Sequence, residues 1–169
     1  KLNMATLAGL SRGAIKNATG NLHGNFKGNG KFADPRWKGD LNFDTTKFTL
    51  TQLGTAFKIN SQQIIFDYPA VTVNNFTIRD TLDHLLKIDG SVSVNKVKSL
   101  DINLDIDAKD FIILNAPKAI NREFYGYAVA DIDIKVTGNT VSPNIEGDIA
   151  IKDKSNITII IPERSYGKD

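Results

Sequence analysis

Apolar residues recur at every second position over most of the chain, a period that gives an extended strand one aliphatic and one wet face. The cleanest case runs through Leu100, Ile102, Leu104, Ile106 and Ala108, interleaved with Asp101, Asn103, Asp105, Asp107 and Lys109. Ala128, Ala130, Ile132, Ile134 and Val136 alternate with Val129, Asp131, Asp133, Lys135 and Thr137, and Ile157, Ile159 and Ile161 repeat the pattern near the end. Shorter strands are predicted at Leu41 and Phe43, Phe48 and Leu50, Phe57 and Ile59, Ile64 and Phe66, Val71 and Val73, Phe76 and Ile78, Leu86 and Ile88, and Val92 and Val94. Between them stand turn formers: Asp44-Thr45-Thr46, Gly54, Asn60-Ser61-Gln62, Tyr68-Pro69, Asn74-Asn75, Asp80-Thr81 and Asp89-Gly90. Strands joined by such short links pair antiparallel, so a meander is expected. A short helix is predicted over residues 2–10, where Met4, Leu7 and Leu10 share a side. The stretch from Asn115 to Tyr127 contains Pro117 and keeps no period, so it reads as a loop crossing from one sheet edge to another.

The chain also repeats itself. Pro35-Arg36-Trp37-Lys38-Gly39-Asp40-Leu41-Asn42-Phe43 returns as Pro143-Asn144-Ile145-Glu146-Gly147-Asp148-Ile149-Ala150-Ile151, each behind a glycine-bearing turn, which gives an internal repeat over about residues 28–43 and 136–151. Residues 1–169 therefore read as a single all-β segment of a longer protein, an elongated and mostly antiparallel sheet. A dozen amphipathic strands with almost no helix must cover their aliphatic faces as a sandwich, as a barrel, or as a sheet curled into an open trough. Periodicity does not choose among the three.

Composition narrows the chemistry more than the shape. Twenty-one Lys and Arg against nineteen Asp and Glu leave a formal charge of +2, with the signs interspersed, so no nucleic-acid stripe is present. The absence of cysteine excludes disulfides, thiolate metal sites and a cysteine nucleophile. No stretch approaches the ~20 apolar residues of a membrane helix. Asp101, Asp105, Asp107, Asp131 and Asp133 could hold calcium if their strands were neighbours, but Lys109 and Lys135 continue the same rows, as on any solvated strand face. His23 and His84 lie in unrelated contexts, and Gly90-Ser91 lacks a nucleophile turn, so no catalytic constellation emerges. Gly20, Gly24, Gly28 and Gly30 do not open a helix, because Lys31-Phe32-Ala33-Asp34-Pro35 follows and ends in proline.

Several ordered blocks are similar to one family. Lys38-Gly39-Asp40-Leu41-Asn42-Phe43, Leu53-Gly54-Thr55-Ala56-Phe57-Lys58-Ile59-Asn60, Val73-Asn74-Asn75-Phe76-Thr77-Ile78, Leu86-Lys87-Ile88-Asp89-Gly90-Ser91-Val92, Leu100-Asp101-Ile102-Asn103-Leu104-Asp105-Ile106, Phe124-Tyr125-Gly126 and Ile145-Glu146-Gly147-Asp148-Ile149 resemble the C-terminal region of the TamB family of the translocation and assembly module, in Bacteroidota-like form. The resemblance implies a periplasmic protein of the AsmA-like superfamily, anchored in the inner membrane outside these residues. It also implies a sheet curled into an open taco or trough with a hydrophobic interior. Partners would be phospholipid acyl chains and an outer-membrane barrel similar to TamA; no enzyme activity and no cofactor is implied. The groove would be lined by Leu41, Phe43, Phe48, Leu50, Ile64, Phe66, Val71, Val73, Phe76, Ile78, Leu86, Ile88, Val92, Val94, Leu100, Ile102, Leu104, Ile106, Ala130, Ile132, Ile134, Val136, Ile149, Ile151, Ile157, Ile159 and Ile161. Two rival readings are a chaperone-like module that receives β-strands of outer-membrane proteins, and a closed β-sandwich spacer.

Overall fold

A computed structural model describes residues 2–31, 34–94 and 99–161; Phe32 and Ala33, which fall within the first repeat copy, lie outside them. The elements in chain order are β1 (Leu2–Asn3), α1 (Met4–Leu10), β2 (Ile15–Thr19), β3 (Asn21–Lys31), β4 (Asp34–Phe43), β5 (Thr46–Leu50), β6 (Thr55–Ile59), β7 (Gln62–Asp67), β8 (Ala70–Arg79), β9 (Leu85–Val94), β10 (Leu100–Ala116), β11 (Phe124–Asn139), β12 (Pro143–Ile151) and β13 (Asn156–Ile159). All thirteen strands belong to one sheet, whose main path is β1-β3-β4-β7-β8-β9-β10-β11-β12, antiparallel throughout. The sheet does not close on itself. Its surface of 11547 Å² exceeds the ~8,200 Å² expected of a compact monomer of its mass, as an open trough requires.

From β7 to β12 the chain is the predicted meander. The departure comes earlier: β4 pairs with β7 rather than with its successor, and β5 and β6 leave the main path. β5 turns back onto β2, β6 follows β5, and β6 rejoins the sheet through Lys58 opposite Arg79 of β8. Those three strands make a flap over one end of the trough.

Two predicted breaks are not breaks, and one predicted crossing is not a crossing. Asn74-Asn75 lies inside the single strand β8, and Asp89-Gly90 lies inside β9. The two sites face each other: β8 carries one extra residue between Val73 and Phe76, a bulge with Asn75 at φ 49, and the Asn75 N–H donates to Asp89 Oδ1 at 2.6 Å. The polar pairs that read as turns are therefore a bulge and its anchor. The segment from Asn115 to Tyr127 crosses nothing, because β10 runs on to Ala116 and the link Pro117–Glu123 returns the chain directly into its antiparallel neighbour β11.

The helix forms where expected, capped by Asn3, whose Oδ1 accepts the Ala5 N–H at 2.9 Å. Its packing is shorter than the pattern implied. Met4 is buried and Leu7 half-buried, while Leu10 is 73% exposed. No helix among the described residues is long and apolar enough to cross a membrane.

Candidate functional site: the apolar inner face

Directly opposed residues in an antiparallel pair project from the same side, so the register decides which side chains share a face. Leu41 opposes Ile64, Ile64 opposes Val73, Val71 opposes Val92, and Ile78 opposes Leu86. Ile88 opposes Ile106, Val92 opposes Ile102, and Val94 opposes Leu100. Leu104 opposes Val136, Ile106 opposes Ile134, Ile132 opposes Ile149, and Ala130 opposes Ile151. The aliphatic rows from β4 to β12 thus form one continuous face, and Phe43, Phe66 and Phe76 fall into it at their positions on β4, β7 and β8. Along β10 the inner side chains from Ile102 to Ala108 are half-buried while Asp101, Asn103, Asp105, Asp107 and Lys109 are exposed, so the face is sheltered yet not sealed.

Aromatic contacts measure the curl. Phe43 on β4 and Phe76 on β8 are separated by β7, which in a flat sheet puts them ~9.6 Å apart, but their ring centroids lie 5.4 Å apart in an edge-to-face pair. Phe57 on β6 stacks on Phe111 of β10 at 5.6 Å although three strand steps, ~14 Å if flat, intervene. The flap therefore folds right over the face at that end. Under it lies a wholly apolar cavity of about 230 Å³, bounded by Phe48, Leu50, Phe57, Ile78, Leu86 and Phe111 among others. Glycines supply the bend elsewhere. Gly90 and Gly147 sit in the inner rows at φ 127 and 131, and a Cβ on either would overlap the carbonyl oxygen of Asn103 or Asp133 across the ladder.

Two bulges keep the face apolar. Strict alternation after Val71 and Val73 would turn Asn75 inward, and the extra residue in β8 returns Phe76 and Ile78 to the face instead. In β10 strict alternation after Ala108 would turn Asp110 inward; it takes φ 54, and Phe111 occupies the inner position opposite Ala130. Each bulge is held by a carboxylate on the adjacent strand, Asp89 for the first and Asp131 for the second, the latter accepting the Asp110 N–H at 2.8 Å. Lys152 also donates to Asp131; that hydrogen bond foremost, then the Asp110 N–H, holds the Asp131 carboxyl below its ordinary range.

At the flap end, Asp80 is a buried charge whose side chain is fully covered. Its Oδ2 accepts from the Ile112 N–H and pairs with His84 Nδ1, both at 2.9 Å, and its Oδ1 accepts the N–H groups of Leu82 at 2.8 Å and His84 at 3.0 Å. Burial alone would raise this carboxyl, but the donors, led by the Ile112 N–H and the His84 ring, outweigh it and bring it below its ordinary value. Asp80 read in the sequence as a turn former. Its second task, binding a donor 32 residues away in β10, left no local signal.

The remaining candidates sit as follows. Phe48 and Leu50 lie in the flap. Ile157 and Ile159 pair through β13 with Gly126 and Phe124 and are 38% and 69% exposed; Ile161 lies past that strand and is 82% exposed. Leu22, Phe26 and Trp37 also share the inner register, in β3 and β4 where glycines dilute the apolar pattern, and Ile145 shares it in β12. Asp107 opposes Asp133 on the outer side, yet among the described residues no group of three His, Cys, Asp or Glu could hold a metal. A cleft of about 570 Å³ opens beside Asn17, Lys47, Lys58 and Asp83, where charges of both signs meet.

An antiparallel sheet, curled but open, with an aliphatic face left unsealed beyond the flap defines a β-trough. The model of the TamB C-terminal domain matches residues 74–168, from the bulge of β8 onward. The chain belongs to the TamB family, a non-enzymatic part of the translocation and assembly module of the cell envelope that works with a TamA-like outer-membrane partner. No curated protein and no solved structure matches it.

Proposed function

We propose that the inner face is a conduit for lipid acyl chains, one length of a longer periplasmic trough that is anchored in the inner membrane elsewhere in the protein and leads toward the outer-membrane partner. The observation that carries this reading is the partly exposed state of the aliphatic rows: they are continuous across the seven strands from β4 to β12 and, beyond the flap, are left uncovered by a second layer. Burying a methylene is worth ~0.8 kcal/mol, so a fifteen-methylene chain gains at most ~12 kcal/mol before ordering and association offset much of it. Rows of Ile, Leu and Val offer that gain almost equally at each step, so a chain slides instead of lodging. The headgroup stays outside, where the outer rows and solvent hydrate it.

Photocrosslinkers test the reading. Probes at Leu104 or Ile132 capture lipid in cells, and probes at Asp105 or Asp133, on the other side of the same strands, do not. Equal labelling of the two sides would remove the conduit.

A further inference from the structure

The two repeat copies match in pairing, not only in sequence. In the hairpin β3-β4, Leu22 opposes Phe43, Gly24 opposes Leu41 and Gly30 opposes Pro35; in β11-β12, Ala130 opposes Ile151, Ile132 opposes Ile149 and Gly138 opposes Pro143, a constant offset of 108 residues from 22 to 130 and from 43 to 151. The exit from the hairpin is also repeated: the Asp44 N–H donates to the Asn21 carbonyl at 3.1 Å, and the Lys152 N–H to the Val129 carbonyl at 2.9 Å. β5 folds back on β2 as β13 folds back on the first part of β11.

The copies differ at the far edge. β4 is covered by β7, with Ile64 opposite Leu41, Phe66 opposite Gly39, and Asp67 opposite Lys38 in an ion pair of 3.0 Å. Among the described residues nothing pairs with the corresponding edge of β12, and Ile145, Ile149 and Ile151 are 65%, 56% and 49% exposed there. Such an edge presents a row of free backbone donors and acceptors.

We infer that the β12 edge receives one antiparallel amphipathic strand in the register that β7 takes on β4, and that Glu146 selects a strand bearing Lys or Arg. The offset fixes the pattern of the occupant. Leu41 becomes Ile149, so the incoming strand needs an aliphatic residue there; Gly39 becomes Gly147, so an aromatic ring fills the space left by the missing side chain; Lys38 becomes Glu146, so the acid of β7 must become a cation. A second copy of β12 is a poor occupant, because in its three central antiparallel registers Glu146 or Asp148 meets an acid. The site is for a polypeptide strand on the edge of the sheet, and it stands or falls separately from the acyl-chain reading of the face.

The chain has no cysteine, so Ala150→Cys supplies a unique thiol on the outer side of β12. Two peptides built on β7, Gln-Cys-Ile-Ile-Phe-Lys and Gln-Cys-Ile-Ile-Phe-Asp, place their thiol opposite it in the proposed register. They compete for disulfide exchange with the variant in a glutathione buffer. The lysine peptide is trapped in excess, about fivefold for one exchanged exposed charge pair, and Glu146→Lys in the same background reverses the preference. A peptide with its thiol moved one position, facing the other side, is trapped at background. Equal trapping of the two charges, indifference to Glu146→Lys, equal trapping of the displaced thiol, or no trapping at all would overturn the assignment. Disulfide-linked pairs of the variant outcompeting both peptides would give the edge to a second copy and also overturn it. Glu146 is exposed, and an unchanged thermal melt of Glu146→Lys shows that the fold is not what moved.

Discussion

An acid placed on the inner face separates an open trough from a closed core, because the same change has different consequences where water reaches the site. Leu104 is half-buried between Gly90 and Val136. Full burial of a leucine is worth about 1.5–3 kcal/mol, so at partial burial its loss removes roughly 1–1.5 kcal/mol. A carboxylate that keeps part of its hydration adds about 1 kcal/mol more, a total near 2 kcal/mol and a fall in Tm of roughly 4–8 °C for a chain of this size. Phe111 is 2% exposed and stacked on Phe57. Truncating such a ring costs about 3–5 kcal/mol, and the unpaired buried carboxylate of Phe111→Asp adds several more, which is comparable with the whole stability of a domain of ~5–15 kcal/mol. Leu104→Asp is therefore expected to melt cooperatively a few degrees below the parent, and Phe111→Asp not to fold. The second readout is lipid: native mass spectrometry of Leu104→Asp purified from cells shows the folded chain with co-purified lipid lost, and the same change in the full-length protein compromises the outer membrane at normal abundance. If Leu104→Asp unfolds as Phe111→Asp does, the face is sealed and the trough is wrong; if it folds and carries lipid as before, the conduit is wrong.

Asp80→Ala leaves the N–H groups of Ile112, Leu82 and His84 without their acceptor and is expected to destabilise by about 3–5 kcal/mol in denaturant titration at neutral pH. Because the folded-state pKa of Asp80 is depressed, its contribution is complete above the ordinary carboxylate pKa of ~3.9 and is lost as the pH falls through the folded value, so the gap between parent and variant narrows below about pH 4 and is constant above it. Gly90→Ala forces a side chain into a backbone conformation at φ 127 and against the Asn103 carbonyl, and a loss of about 2–3 kcal/mol is expected. Gly9→Ala, in the exposed part of α1 with nothing within 4 Å of the new Cβ, is the contrasting control and raises stability by up to about 1 kcal/mol in the same melts.

Fold class was legible because it rests on a two-residue period that survives in single strands such as Leu100 to Ala108. The strand positions followed from the same period, and so did the sharing of one face by residues as distant as Leu41 and Ile149, once pairing was known. Register itself was not legible, since it depends on partners far apart in sequence: nothing near Asp44 says that β4 waits for β7 while β5 and β6 fold over the end. The sealed end was missed for the same reason, as Phe57 and Phe111 meet only through the curl. Asn74-Asn75 and Asp89-Gly90 were read as turns because bulges and turns draw on the same residues, Asn and Gly, for the same left-handed backbone. A phase signal was present all the same, in the switch from odd-numbered Val71 and Val73 to even-numbered Phe76 and Ile78.

The bulges at Asn75 and Asp110 act on the sheet as frameshifts act on a message. Each inserts one residue and changes the side taken by the side chains that follow, to the end of β8 in the first case and, in the second, until a further register shift between Ile112 and Leu114 restores the phase. Deleting Asn75 would leave a well-paired strand with the wrong face, turning Phe76 and Ile78 out to water and Thr77 and Arg79 in. Length is therefore under tighter constraint at these two points than chemistry is: a polar residue at position 75 or 110 can be exchanged for another that tolerates a left-handed backbone, whereas a one-residue deletion there cannot be compensated by any substitution within the strand. Variation in this trough should accordingly appear as changes of residue inside the strands and as changes of length in the turns, with the two inserted positions kept in number even where they are not kept in kind.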